Sequence, residues 1–251
     1  MIGLFLARTA LAACAVVAVF TAAQASPASV PTIVRRASTV YAAEMRGFVG
    51  LERHFTTQLH GGPFQHGEQS DSGQLFQDGK FVQVSYYRVV RDGRQFSPSQ
   101  IAQRNDQTNK DWAAGRVFFK EPYDPRYVGD YTFAQAACSG CAAGSQRIAF
   151  TSTIRDAQHG DGAMDIDVAT GHILRLTYVP NALPPHATSG SVTETGGEVL
   201  PHLWYVARIS QTFSGRAFLL SGTGTFTGVF DHFRRLPSLL AGQTALANQT
   251  I

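Results

Sequence analysis

The residues of this chain best suited to covalent chemistry are the thiols of Cys138-Ser139-Gly140-Cys141, the only cysteines beyond Cys14. In an oxidising compartment such a pair is read as a disulfide, and closing so short a loop constrains the unfolded chain little, so the bond would pin a turn. A redox dithiol needs a thiolate at a helix N-terminus, which the flanking Ala136-Ala137 and Ala142-Ala143-Gly144 leave open. A zinc site needs four ligands, and no second Cys pair or neighbouring His pair completes one. The eight histidines, at 54, 60, 66, 159, 172, 186, 202 and 232, show no HExxH or other close spacing and are read as surface or loop residues. Asp165, Asp167 and Gly171 fit a calcium loop poorly, because Ala169 takes a ligand position and the bidentate Glu is missing. No metal site is therefore expected. Gly222, Gly224 and Gly228 lack dinucleotide spacing and mark bends in a curved sheet instead; the Gly-x-Ser-x-Gly elbow of serine hydrolases is absent. With no nucleophile and base in view, the chain is read as non-enzymatic and without a cofactor.

The first residues place Arg8 before an apolar run, Thr9 to Ala23, that ends in Ala23-Gln24-Ala25. A charged start, an apolar centre and an Ala-x-Ala site make a signal peptide, with cleavage expected after Ala25. The run is shorter than the roughly 20 residues of a membrane span. Leu11-Ala12-Ala13-Cys14 also has the look of a lipobox, which would make Cys14 a lipidation site. The expected location is periplasmic or secreted. The rest, about 226 of 251 residues, suits one domain over 26–236 followed by a small, polar and flexible tail, 237–251. Basic residues are scattered, and the net charge is only +3, so no nucleic-acid partner is expected, nor is there a second apolar stretch long enough to span a membrane.

Apolar residues at helical spacing, Val30, Ile33, Val34, Ala37, Val40, Tyr41 and Met45, predict an amphipathic helix. Beyond Gly47 the period becomes two: Val49, Leu51, Phe55, Thr57 and Leu59 share one side, with Glu52, His54, Thr56 and Gln58 on the other. Alternation returns at 73–77 and 81–90 around an Asp78-Gly79 turn. The polar stretch Ser97 to Gly115 reads as an exposed helix, and any lid is expected between 92 and 146. Hairpins follow over 148–154, 164–168 and 174–178. The segment 180–197 reads as a loop, and 203–213, 216–221 and 223–233 as three strands. The fold class is α+β: a large curved antiparallel sheet, an open half-barrel, capped by the N-terminal helix and a second, inserted helix.

The signal, the helix ending at Gly47, the strand to Leu59, the hairpin Met164 to Leu176 with its Thr170-Gly171 turn, and the closing Phe230-Asp231-His232-Phe233 together resemble the LolA/LolB-like lipoprotein-carrier superfamily, including the RseB and MucB lipid-sensing domains. The resemblance implies a half-barrel whose concave face holds acyl chains, with a lipid, acyl chain or lipoprotein as partner and Val49, Leu51, Phe55, Val84, Tyr86 and Leu176 as its inward face. The same periodicity fits a face packed entirely against helices. A second reading is a periplasmic interaction or regulatory module that uses the 92–146 insert or the 180–197 loop, without bound lipid, to engage an envelope protein.

Overall fold

The computed structural model describes residues 30–61, 64–115, 119–183, 186–217 and 220–251. The segment read as a signal peptide, with Cys14 and the cleavage expected after Ala25, lies outside the described residues. Helix α1 (Thr32–Glu44) leads into β1 (Phe48–Gly61), β2 (Phe64–Gln77), β3 (Lys80–Arg91) and the short β4 (Arg94–Gln95). Helix α2 (Pro98–Ala113) and a turn-rich connection then reach β5 (Tyr131–Gln135), β6 (Ser145–Ser152), β7 (Gly160–Asp167), β8 (Ile173–Pro180), β9 (Ala187–Leu200), β10 (Leu203–Ala217) and β11 (Leu220–Leu236), before α3 (Leu239–Ala247).

All eleven strands join one antiparallel sheet in the order β4-β3-β2-β1-β11-β10-β9-β8-β7-β6-β5. Each neighbour is the next strand in sequence, save at the seam where β1 pairs with β11. The sheet is unclosed, with edges at β4 and β5, so the architecture is the α+β open half-barrel that the alternation predicts. Helix α1 packs on the concave face through Val34 and Ala37, and α2 lies against β3, where Ile101 meets Val84, Tyr86 and Val89.

Local chemistry explains the boundaries. Asp78 and Gly79 have φ of 50° and 73°, the left-handed pair that a two-residue hairpin requires. Helix α2 opens with a capping box, in which the Ser97 hydroxyl accepts from the Gln100 N–H and the Gln100 side chain accepts from the Ser97 N–H. Three boundaries differ from the sequence reading. The 180–197 loop is largely strand β9: its glycines mark close approach, not turns, since a Cβ on Gly196 would lie 2.1 Å from the Ile173 carbonyl oxygen. The three strands expected over 203–233 are two long ones, because Gly222 and Gly224 sit within β11, and Gly224 seats the Phe213 ring of β10 where a Cβ would stand 2.1 Å away. In the segment read as a flexible tail, Ser238 caps α3 by accepting from the Ala241 N–H at 3.2 Å. Leu246 and Ile251 then bury themselves against Leu75 on the convex face.

The edge of β3 is finished by side chains. Asn109 accepts from the Val84 N–H and donates to the Val84 carbonyl, both at 2.9 Å, while Asn105 does the same for Tyr86 at 2.6 and 3.1 Å. Four helical residues rise about 6.0 Å and two strand residues about 6.6 Å, so carboxamides spaced i, i+4 can stand in for alternate peptide groups of a missing strand. Unpaired edges recruit other chains. Asn109→Ala is expected to lower the unfolding free energy by roughly 1–3 kcal/mol in denaturant titration, and the Asn105→Ala, Asn109→Ala pair to self-associate in light scattering. A double variant as stable and monomeric as the parent would remove this role.

Candidate functional site

Helix α1 is a strap fixed at both ends. Near its start, Arg36 donates to the carbonyls of Val168 and Ala169 in the β7–β8 turn. At its end, the Glu44 carboxylate lies 2.9 Å from His172 Nε2 and accepts from the Trp204 backbone N–H at 2.6 Å, with the His172 ring stacked on the Trp204 indole. Arg235 of β11 donates to the Glu44 and Arg46 carbonyls at 2.7 and 3.1 Å, placing a cation where the helix dipole is negative.

Beneath the strap, the residues expected to face inward take different roles. Val49 and Leu51 pack with Met45, Phe76, Leu203 and Phe233. Val84 and Tyr86 lie under α2, and Phe55 meets Phe226 and Phe230 edge to face. Leu176, of these six, borders a chamber of about 30 Å³ beneath α1 that also touches Tyr41, Trp204 and Glu194. The larger space, about 610 Å³, is a cleft between the β2–β3 turn, the end of α2 and the connection to β5. Its walls combine Phe81, Trp112, Phe119 and Tyr205 with Lys120 and Glu121. The connection is held by buried Asp124, to which Arg126 donates from Nε at 2.9 Å while also donating to the Gly79 carbonyl at 3.0 Å.

Two carboxyl groups meet where these spaces approach each other. Glu194 projects from the middle of β9 into the apolar concave face, opposite Leu176 and Ile209; Glu121 reaches it from the connection. Burial raises the Glu121 pKa most, with Glu194 adding repulsion, so Glu121 keeps its proton and donates it to Glu194. Tyr178 also donates to Glu194, at 3.4 Å. Burial raises Glu194 to about 7, against which both donated bonds pull it down. One oxygen of each carboxyl group has no hydrogen-bond partner, an expensive state for a buried acceptor. Period-two patterning would have revealed Glu194, in phase with Val192, had the segment been read as strand. Arg53 is a second buried charge on this face, 6% exposed between Leu51 and Phe55 in sequence. It donates to the Tyr86 hydroxyl at 2.7 Å and lies over the Phe55 ring, while its Nε has no partner.

The remaining sequence candidates are structural. Cys138 and Cys141 are joined, with Cα atoms 5.6 Å apart, beside β6 and β7. His159, read as a surface or loop residue, is fully buried, with Nδ1 2.7 Å from Asp156 and Nε2 3.2 Å from Asp130; two carboxylates replace the water it would otherwise bind.

No family model matches the sequence, and no curated protein matches it. Similar solved structures include a DUF1329 family protein from Desulfovibrio piger, 12% identical, with 84% of this chain and 94% of that one covered at a TM-score of 0.40. A domain assigned to outer membrane lipoprotein sorting, from Vibrio parahaemolyticus, is 12% identical over 82% and 93% of the two chains, TM-score 0.42. A LolA superfamily protein from Nitrosomonas europaea is 8% identical over 87% and 99%, TM-score 0.37.

The carboxyl pair sets a pH dependence. Because Glu194 in the folded chain titrates near 7, against an ordinary 4.5, the folded state keeps a proton that the unfolded chain releases between those values. Stability therefore falls as pH rises above about 4.5, and goes on falling past 7 because Glu121, also raised by burial, still holds its proton in the folded chain. Calorimetry across this window is expected to show a steeper decline in Tm for the parent than for Glu194→Gln, by about 2–4 °C for each kcal/mol lost. Parallel curves for the two proteins would mean that Glu194 titrates as an ordinary carboxylate does.

Proposed function

We propose that this chain is a non-catalytic exported protein of the bacterial envelope, cleaved after Ala25, that takes a lipid or lipoprotein acyl chain into the cleft beside α1. The observation that carries this reading is the division of the cleft's walls. Phe81, Trp112, Phe119 and Tyr205 offer apolar surface, while Lys120 and Glu121 supply polar groups. A cleft of about 610 Å³ falls in the range of small-molecule sites, roughly 300–1,000 Å³. An acyl chain entering it would gain roughly 0.8 kcal/mol per buried CH₂, with its polar end towards Lys120 and Glu121. Leu176 borders the small chamber beyond, on the path a long chain would follow.

Purified protein is expected to release lipid on organic extraction and, once stripped, to take up a fluorescent fatty acid with about one site per chain. Trp112→Ala should weaken that uptake by roughly tenfold, about 1.4 kcal/mol. Extracts free of lipid, together with no uptake, would exclude the carrier reading. A protein captured from envelope extract by the same lipid-free sample would then favour the interaction module.

A further inference from the structure

On the outer face of the sheet, at the seam between β1 and β11, two imidazoles and two carboxylates converge. Glu52 and His54 are two apart on β1 and share its outer side, and Asp231 stands directly opposite Glu52. There the register slips, so that His232 and Phe233 of β11 stand where β1 supplies Leu51 alone. His232 takes a left-handed φ of 46°. Such a bulge re-aims side chains: His232 joins Asp231 outside, while Phe233 stays in the inner core.

The distances describe a shared centre. His54 Nε2 lies 3.1 Å from Asp231 Oδ1 and 3.5 Å from Glu52 Oε2, and His232 Nδ1 lies 3.2 Å from each of the same oxygens. Nitrogen and oxygen ligands at about 2.0–2.1 Å from a tetrahedral zinc ion stand about 3.3–3.4 Å from one another. A ring nitrogen can direct one proton at one acceptor; here each nitrogen faces two. Glu52 and Asp231 are also like charges directly opposed across a strand pair, which is destabilising without a cation. Arg88 is turned to Asp71, 2.9 Å away. Asp71 lies 2.9 Å from His54 Nδ1, the carboxylate that orients a metal-binding imidazole and leaves its other nitrogen facing the ion. Tyr87 donates to Glu52 at 3.1 Å and steadies that side.

We propose that Glu52, His54, Asp231 and His232 bind one divalent cation of the zinc class, which fastens the first strand of the sheet to the last. Two imidazoles and two carboxylates suit zinc better than calcium or magnesium, which prefer oxygen alone. Four protein ligands fill a tetrahedron, so the site is structural rather than hydrolytic. The half-exposed His54 and Asp231 and the open His232, 66% exposed, leave the ion a route from solvent.

The test uses untagged protein, stripped with a chelator and titrated with Zn²⁺ and Co²⁺. One Zn²⁺ per chain is expected, raising Tm, and Co²⁺ should give the intense visible bands of four-coordinate cobalt, bleached by one equivalent of zinc. Asp71→Asn should weaken zinc binding by roughly 10–100-fold. His54→Ala and Asp231→Asn should each abolish the cobalt bands. His232→Asn removes a ligand while keeping a residue that tolerates positive φ, so its loss of binding cannot be put down to misfolding. His66→Ala, whose ring pairs with the separate Asp92, should bind as the parent does. Absence of stoichiometric zinc binding in the parent, or parental affinity in both His54→Ala and His232→Asn, would overturn the proposal.

Discussion

Hydrogen bonding between β1 and β11 decides where this sheet is open. Once the first strand takes the last as its second neighbour, both lie in the interior of the sheet, and the free edges fall to β4 and β5. Those edges are separated by α2 and the connection that follows it, so the same segment must both finish the β3 edge and span the gap. The asparagines of α2 do the first through side-chain amides. Asp124 and Arg126 do the second by tying the connection to the β2–β3 turn. The cleft is what remains between them.

The inner face is therefore not a uniform apolar trough. Its β6 to β9 half is filled by Phe150, Met164, Ile166, Leu176 and α1, yet Glu194 stands in its midst. Its β1 to β3 half carries Arg53, Ser70, Ser72 and Gln74, all buried. Burying ionisable groups without full pairing is costly, and Glu194 meets that cost by sharing a proton with Glu121, whereas Arg53 relies on a phenol and aromatic faces.

Much of the framework is legible from spacing alone, because it rests on local rules. Helical periodicity over 30–45, the Ser97-Pro98 helix start and the Asp78-Gly79 turn each involve residues close in sequence. The misread parts are those in which tertiary packing overrides composition: glycines of β9 and β11 that serve as seats for neighbouring groups, and small residues after Pro237 that pack as a helix because Leu246 and Ile251 find a surface. Glu52 and His54 fall on one side by simple alternation. Their counterparts, Asp231 and His232, are brought beside them by a register and a bulge that no local pattern announces. Glu121 is similarly invisible, since its burial depends on a connection without regular structure.

The seam also orders events in time. Phe48 is matched with Leu236, so β1 has one edge unsatisfied until β11 has been made. Such distant pairings form slowly, and until they form the early hairpin strands expose backbone that other molecules can engage.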